Sequence, residues 1–260
     1  MKFLYSIIGT MKADVIILFR YRKSIISDII TFLALYLGII IFNDASNFSD
    51  FYNVQISDGP ILLLIGYIFW TVSNIALSYS SSIIVGDAKS GMLEVKLQGI
   101  IPYPVLSFFS VLVSIIESII VLFFACLISL VIGYIEFTHI PFILLSIVLT
   151  IPSIIGMYGV GLILAGFALK EKSIGQFVSI VSAILLFLSN TLILNLPNYI
   201  YIIPFTSGID ISRNLFSTGV FDSYLFIIYI CVCLLWLVVG ILIFNILLKK
   251  ERTQGSFDSF

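Results

Sequence analysis

The sequence has 260 residues, of which 60% are hydrophobic and only 10% are charged, and its formal net charge is −1. Soluble domains carry about 25% charged residues, so a chain this poor in charge cannot cover a globular surface with polar groups. These values exclude a soluble globular protein and predict an integral membrane protein built from helices. The single histidine, His139, and three cysteines inside apolar runs argue against a metal centre or a disulfide framework, and we expect no nucleic-acid partner.

Residues 1–23 are predicted to form an amphipathic helix that lies in the membrane interface before the first span. Apolar residues such as Ile7 and Met11 recur near helical spacing, and charged residues such as Lys12 and Asp14 stand among them. An irregular start that merely precedes the first span is the alternative. Because this stretch lacks a short apolar core followed by a small-residue cleavage site, we expect no cleaved signal peptide.

Six apolar stretches are about long enough to cross the hydrocarbon as helices, which takes about 20 residues each. They are predicted at 25–42, 61–84, 104–135, 140–168, 174–196 and 224–248. All basic residues except Arg213 then fall on one side, and the positive-inside rule places both termini in the cytoplasm. The opposite side carries the acidic residues Asp44, Asp50, Asp58, Glu136, Asp210 and Asp222. The predicted fold class is an all-α polytopic membrane protein with six transmembrane helices in a single domain over residues 1–260.

A short charged segment separates the second and third predicted spans. Residues 87–98 are predicted to form a helix with Ser90 as its N-cap, Glu94 in its first turn, and Leu93 and Leu97 on one apolar side. A helix of two or three turns is too short to be stable alone in water. It therefore has to pack on another surface, and the membrane face and a cytoplasmic partner are the two candidates.

Glu117 lies near the middle of the third predicted span. An ionisable residue at this depth indicates a functional role, such as contact with a cationic or polar substrate or a response to protons. The alternative is a carboxyl group that fixes helix packing against Asn74, Ser78 or Tyr79 of the second span. No span carries a clustered set of His, Asp or Glu, and Glu117 stands alone in mid-membrane, which argues against a membrane enzyme.

Pro152 interrupts the fourth predicted span, and Gly156, Gly159 and Gly161 follow closely. Proline removes one helical hydrogen bond and bends the helix, which is typical of a hinge. Small residues also allow two helices to approach closely. A hinge and a close helix contact are therefore both open for this part of the chain.

Residues 197–223 are too apolar for an ordinary loop and contain Pro197 and Pro204. Irregular backbone at membrane depth survives only where protein buries it. We therefore predict a re-entrant outer loop, with short helices that enter the outer leaflet without crossing it and help to seal the exit of a pathway. An interfacial loop with no gating role is the alternative.

The residues DAKSGMLEVKL, at 87–97, resemble the cytoplasmic coupling-helix segment of type 2 ABC transporter permeases. That segment typically has an acidic residue, a glycine, a small or hydroxyl residue, leucine and glutamate ahead of an apolar helix and a proline. Met92 stands here where threonine is usual. The matching residues are Asp87, Gly91, Leu93, Glu94 and Pro102. The resemblance implies that an ATPase subunit contacts a set formed by Asp87, Gly91, Met92, Leu93, Glu94 and Leu97.

Segments 161–193 and 201–216 resemble the last third of the same family, where a charged cytoplasmic turn leads to the fifth span and an outer loop with short helices precedes the sixth. The resemblance implies two cytoplasmic ABC ATPase subunits and a second permease half, identical or different. The sequence contains no G-x-x-x-x-G-K-[ST] phosphate loop. We therefore expect ATP and Mg²⁺ on the partner subunits, no cofactor on this chain, and no enzymatic activity of its own.

The expected function is that of the permease subunit of an ATP-driven exporter in the plasma (inner) membrane of a bacterium. Spans rich in Phe, Ile and Tyr suit a hydrophobic or amphipathic cargo, such as a drug, an antibiotic or a peptide. A permease for a lipid-linked glycan or another lipid is one alternative. A stand-alone channel or secondary transporter is another, although the spans are short of the paired polar residues and matched broken helices of such proteins.

Overall fold

The computed structural model describes residues 2–20, 22–171, 175–194 and 196–254, and every regular element in these ranges is helical. The longer elements are α1 (Lys2–Arg20), α2 (Arg22–Phe42), α3 (Ala45–Tyr52), α4 (Gly59–Lys89), α5 (Met92–Leu97), α6 (Tyr103–Ile132), α7 (Ile140–Leu149), α8 (Ile151–Glu171), α9 (Gly175–Leu188), α10 (Thr206–Thr218) and α11 (Ser223–Gln254). Short 3₁₀ turns occupy Ile56–Asp58, Phe137–His139 and Asn198–Ile202. The all-helical part of the predicted fold class is confirmed.

Five helical segments in the described residues are long and apolar enough to cross a membrane, as expected of a polytopic membrane protein. They are Ile25–Phe42, Ile56–Lys89, Tyr103–Ile132, Phe137–Leu169 and Ser223–Glu251. The span predicted at 174–196 corresponds to α9, whose 14 residues fall short of the roughly 20 that a crossing needs. Residues 174 and 195 of that prediction lie outside the described residues. The helix stops early because the chain turns at Asn190 and Thr191, whose carbonyl groups bond to Arg213.

The second of these segments, in α4, is the centre of the bundle. Its most apolar stretch is 89% buried, whereas the corresponding stretches of α2 and α11 are 11% and 17% buried. It packs against α2, α6, α8, α9 and α10. The surrounding helices turn large apolar side chains outward, including Ile30, Phe123 and Leu235. Lipid would cover this surface, since water would leave it as a very large exposed apolar patch.

Helices α8 and α11 approach each other closely through glycine. A β-carbon on Gly159 would overlap the carbonyl oxygen of Trp236, and one on Gly240 would overlap the carbonyl oxygen of Gly159. Gly161 meets Ser80 of α4 in the same manner. The close helix contact, one of the two alternatives for the part of the chain behind Pro152, is therefore present.

The fourth segment breaks at Thr150, between α7 and α8. Pro152 has no N–H to continue the helical ladder, as the sequence predicts. The structure adds a second cause, because the Tyr229 hydroxyl of α11 enters the ladder. It donates to the carbonyl oxygen of Leu149 at 2.9 Å and accepts from the N–H of Ser153 at 3.0 Å. These two backbone groups would bond to each other in an unbroken helix.

The first helix packs on α6 along a narrow stripe. Ile7 and Met11 contact a small cluster that includes Ile101 and Leu106, at the start of α6. The rest of α1 leaves large apolar side chains exposed, among them Leu4, Tyr5, Ile8, Ile16 and Phe19. A helix is therefore present in the predicted range 1–23, with residues 1 and 21 outside the described residues and α2 beginning at Arg22.

The bundle has a basic end and an acidic end. At the basic end, Tyr103 of α6 stacks on Phe244 of α11 with ring centroids 5.8 Å apart, and α5 lies between α4 and α6. At the acidic end, His139 and Phe216 have ring centroids 5.6 Å apart and join the turn before α7 to α10. Lys89 at the end of α4 and Lys96 of α5 lie at the first end, whereas α3, α10 and their acidic residues lie at the second.

Candidate functional site

The segment at 87–98 forms two elements rather than the single helix predicted. The central helix α4 continues to Lys89, and α5 begins only at Met92. The predicted N-cap was wrong, because the Ser90 hydroxyl donates back to the carbonyl oxygen of Gly86 at 2.9 Å. Gly91 occupies the N-cap position with φ = 70°, a conformation that glycine adopts without steric cost. The glycine thus turns the chain sharply between α4 and α5.

The apolar side of α5 packs on the protein itself. Leu93 is buried in the main hydrophobic core, and Leu97 packs against that core while half-buried. Neither of the two packing surfaces considered from the sequence is needed to cover these leucines. The opposite side of α5 exposes Met92, Glu94 and Val95, which form a small mixed surface at the basic end of the bundle.

Asp87 ties α5 to both neighbouring helices. Its carboxylate accepts hydrogen bonds from Lys96 Nζ of α5 at 2.7 Å and from the Tyr103 hydroxyl of α6 at 3.0 Å. The ion pair is largely buried, which makes its geometry more restrictive than that of a surface pair. The prediction that Asp87 belongs to the short helix was wrong. Asp87 lies in the last turn of α4 and holds α5 in place from there.

A second carboxyl group lies close to this ion pair. Asp14 of α1 is buried, and one of its oxygens has no hydrogen-bond partner among the described residues. Burial raises the pKa of the Asp14 carboxyl, and the nearby Lys96 ammonium opposes that rise. Helix α1 therefore brings a poorly solvated acid to the place where α4, α5 and α6 meet.

A cavity of about 570 Å³ opens beside α4, towards α2, α6 and α9. It brings Glu117 together with Asn74, Ser78 and Tyr79, the residues considered from the sequence as its packing partners. No hydrogen bond joins Glu117 to them within the described part of the chain. The Asn74 side-chain carbonyl instead accepts from the Ser78 hydroxyl at 3.4 Å and from the Ser182 hydroxyl.

Glu117 is not alone in this part of the membrane. Asp28 of α2 lines the same cavity, and Lys89 lies at its edge near the end of α4. Sequence reasoning overlooked Asp28, although a carboxylate inside an apolar run was a visible signal. The sequence does not show that Asp28 of α2 and Glu117 of α6 line the same cavity.

The acidic end is held by a fully buried arginine. Arg213 of α10 donates to the carbonyl oxygens of Leu62 at 2.9 Å, Thr191 at 3.1 Å and Asn190. Its guanidinium carbon also lies 4.9 Å from the ring centre of Phe48 of α3. One side chain thereby connects α3, α4, the turn after α9 and α10.

Asp210 completes this end of the bundle. Its carboxylate accepts from Asn190 at 2.7 Å, from the Tyr201 hydroxyl at 2.8 Å and from the Tyr52 hydroxyl at 3.3 Å. Burial raises the pKa of Asp210, and the hydrogen bond from Tyr201 and the charge of Arg213 oppose the rise. The same burial raises the pKa of Tyr52 to about 12, so its hydroxyl keeps its proton for donation.

The two proline candidates of the outer loop lie beside this cluster. Pro197 precedes the short turn Asn198–Ile202, and Pro204 packs its side chain against Gly156 of α8. The carbonyl oxygen of Pro204 also accepts from the Cys233 thiol at 3.1 Å. The range 197–223 therefore contains short helices, as predicted, and α10 is mostly buried by its neighbours.

The described residues contain no group of three His, Cys, Asp or Glu side chains that could hold a metal ion. No model of a known protein family matches the sequence, and no curated protein matches it either. The resemblance of residues 87–97 to a coupling helix is therefore a hypothesis about function. Three features bear on it: the short helix α5, the cavity beside α4 and the cluster around Arg213.

Proposed function

We propose that the chain is the membrane-spanning permease subunit of an ATP-driven ABC exporter. It would lie in a bacterial plasma membrane with both termini in the cytoplasm, which requires α9 and the turn at Thr191 to complete a sixth crossing. It would move a hydrophobic or amphipathic substrate such as a drug, an antibiotic or a peptide. The observation that carries the proposal is the attachment of α5 at the basic end of the bundle. Two ATPase subunits, which bind ATP and Mg²⁺, and a second permease half would complete the transporter.

A coupling element has to pass displacement to the helices that line a pathway. Leu93 is buried in the core, and Asp87 links α5 to α4 and α6 through Lys96 and Tyr103. Close-packed protein interiors have low compressibility, so they transmit a displacement from one element to the next. A force on α5 therefore reaches both α4 and α6, which are two of the walls of the cavity.

A coupling element also needs a free surface for its partner. Met92, Glu94 and Val95 face outward from α5, and Ile100 in the following turn is 83% exposed. Apolar side chains next to a charge are typical of a small protein interface. The positive-inside rule favours a cytoplasmic position for this end because basic residues surround it, and an ATPase subunit could reach it there.

The proposal is tested by capture of an ATPase in the native host. The tagged chain is purified from host membranes, and co-purifying proteins are identified by mass spectrometry and assayed for ATP hydrolysis. The test variant is Val95→Asp, which puts a charge into the proposed interface, and the control is Val220→Asp, because these valines are 63% and 65% exposed. We expect capture by the wild type and the control, and roughly tenfold weaker capture by Val95→Asp.

Two results would contradict the proposal. One is purification of intact protein without any subunit that carries a G-x-x-x-x-G-K-[ST] loop. The other is labelling of a Val95→Cys variant by a membrane-impermeant maleimide added outside intact cells. Either result would remove the coupling role of α5 while leaving the fold unaffected.

A second candidate function is a secondary transporter that works without an ATPase. The observation in its favour is the pair Asp28 and Glu117 in one membrane cavity, since carboxylates at this depth can exchange protons or cations. Proteoliposomes that contain this chain alone would distinguish the two. Substrate movement driven by a proton gradient without ATP supports the secondary transporter and contradicts the exporter.

A further inference from the structure

We propose that the cavity beside α4 binds an amphipathic organic cation, with its positive group facing Asp28 and Glu117. The binding itself needs no ATPase, whereas the role of this cation as transported substrate rests on the proposed function. The ligand class follows from three features of the cavity: its size, the charges on each wall and its closure towards the acidic end.

The cavity has the size and composition of a small-molecule site. Its volume of about 570 Å³ lies within the range of roughly 300–1,000 Å³ that holds drug-sized ligands. Apolar and aromatic side chains, including Phe32, Ile75, Tyr79 and Val178, make up much of its wall. Phe32 is held in place by Trp70, with ring centroids 5.9 Å apart. The flat rings of Phe32 and Tyr79 can also attract a cation through their faces.

The cavity wall carries more acidic than basic groups among the described residues, and they come from different helices. Helix α2 supplies Asp28, α6 supplies Glu117, and the residues of α9 on the wall are uncharged. The one basic group among the described wall residues is Lys89, which is exposed and lies 15 positions along α4 from Asn74, roughly 22 Å at 1.5 Å per residue. Among the described wall residues, two acidic groups therefore face one basic group, with Glu117 half-buried and both Asp28 and Lys89 exposed.

Neither carboxylate has a basic partner within the described part of the chain. No lysine, arginine or histidine nitrogen there lies within 4.0 Å of Asp28 or Glu117, since the ion pairs are at Asp87 and Asp58. The like charges of half-buried Glu117 and exposed Asp28 repel each other across one cavity and raise the free energy of the empty site. A cation between them offsets that cost, whereas a neutral or anionic ligand of the same size does not.

The serines of the wall do not compete for the ligand's charge. The hydroxyls of Ser81 and Ser82 donate to backbone carbonyl oxygens of α4, at 2.9 Å and 3.2 Å, and Ser179 does the same within α9. Each hydroxyl then presents only an accepting oxygen to the cavity. This arrangement favours a positive ligand group as well.

The cavity is closed towards the acidic end. The Trp70 indole N–H donates to the carbonyl oxygen of Ser182 at 3.4 Å, and the Ser182 hydroxyl donates to Asn74. Beyond these bonds, the space near Met157 and Phe205 has no room for a water molecule. A ligand therefore enters from the lipid or from the basic end and stops at Asn74.

The test uses two ions of equal size and opposite charge. The full chain in an uncharged maltoside detergent is dialysed to equilibrium against tetraphenylphosphonium or tetraphenylborate, whose charges do not depend on pH. We expect the phosphonium ion to bind at least about tenfold more tightly than the borate, because the site is anionic. Equal binding of the two ions, or tighter binding of the borate, would overturn the proposal.

Substitutions then locate the site. Glu117→Gln and Asp28→Asn should each weaken phosphonium binding by about tenfold, because each removes one of the two charges. Asp50→Asn is the matched control, since Asp50 is exposed near the acidic end and outside the cavity. Phosphonium binding that neither cavity substitution weakens would overturn the assignment. If either variant fails to fold, the comparison of the two ions with the wild type still decides.

The outcome is separable from that of the exporter proposal. Phosphonium binding without an ATPase partner supports this site and removes the exporter. An ATPase partner without selective phosphonium binding supports the exporter and removes this site. Loss of phosphonium selectivity when sodium ions replace choline would indicate a site for inorganic cations, which also contradicts the proposal.

Discussion

The acidic end of the bundle and the cavity beside α4 handle charge in opposite ways. Arg213 is fully buried, yet three carbonyl groups accept its hydrogen bonds, and Asp210 receives three donors. Asp28 and Glu117 have no such partners among the described residues and border open space. Both regions lie against the same helix, α4. The difference separates a closed structural joint from a space prepared for a ligand.

The two ends of the bundle therefore differ in how tightly their helices are joined. Four elements are joined at the acidic end through one side chain, so that end resists separation of α4 from the turn after α9. Near the basic end, α2 and α9 stand apart enough to leave a cavity. The structure is therefore open on one side of Asn74 and closed on the other.

The largest expected effect comes from breaking the closed joint. Arg213→Met would remove the side chain that donates to the carbonyl groups of Leu62, Asn190 and Thr191 in a buried place. We expect a loss of about 3–5 kcal/mol in the free energy of unfolding, measured by denaturant titration in detergent. Arg213→Lys keeps the charge but cannot reach three acceptors, so its loss should be intermediate.

The control for this prediction is Arg22→Met, which removes the same side chain at an exposed position. It should change the free energy of unfolding by less than about 0.5 kcal/mol. If Arg213→Met and Arg22→Met were equally stable, the cluster around Arg213 would not hold the acidic end together.

The second prediction concerns the close contact between α8 and α11 at Gly159. Gly159→Ala places a β-carbon onto the backbone of Trp236, and neither backbone can yield without moving α8 from α11. We expect a loss of about 1–3 kcal/mol in the free energy of unfolding, which is typical of an overpacked core.

Gly38→Ala in α2 makes the matched comparison, because nothing lies within 4 Å of a β-carbon at Gly38. Alanine is the better helix former, so this variant should be neutral or slightly more stable. Equal effects at the two glycines would mean that α8 and α11 do not depend on their close contact.

The smallest expected effect depends on pH and concerns the buried acid at the basic end. Burial raises the pKa of Asp14 in the folded state, so ionisation of this group opposes folding. The stability of the wild type therefore falls as the pH rises from the unfolded-state pKa, about 3.9, through the higher folded-state value. Asp14→Asn should melt at a slightly higher temperature than the wild type at pH 7.5, and the difference should shrink at pH 4.

Asp50→Asn is again the control, because Asp50 is exposed. It should not show the same pH-dependent gain. A gain for Asp14→Asn that stayed constant from pH 4 to pH 7.5 would argue against a titration of Asp14.

The long apolar elements could be predicted from the sequence because their signal is local. Apolar runs of sufficient length mark α2, α4, α6 and α11, and Pro152 marks the break in the fourth segment. The extent of α9 could not be read in this way. It ends at Leu188 because Arg213, which is remote in the sequence, takes up the carbonyl groups that follow.

The sites show the same limit. The charged segment at 87–98 was recognisable, but its division at Gly91 was not. Both Ser90 and Gly91 are acceptable N-cap residues, and the sequence alone did not show which of them starts α5. The space between Asp28 and Glu117 exists only through the packing of four helices. Each carboxylate was visible in the sequence, whereas their proximity was not.

The Tyr229 hydroxyl gives the fourth segment a property that a proline alone would not. Because it stands between the Leu149 carbonyl oxygen and the Ser153 N–H, straightening α7 and α8 into one rod requires its withdrawal. Tyr229 is buried in the core, so withdrawal of its hydroxyl requires movement of the side chains around it or of α11 itself. The bend of the fourth segment and the position of the last helix are consequently coupled through one buried hydroxyl group.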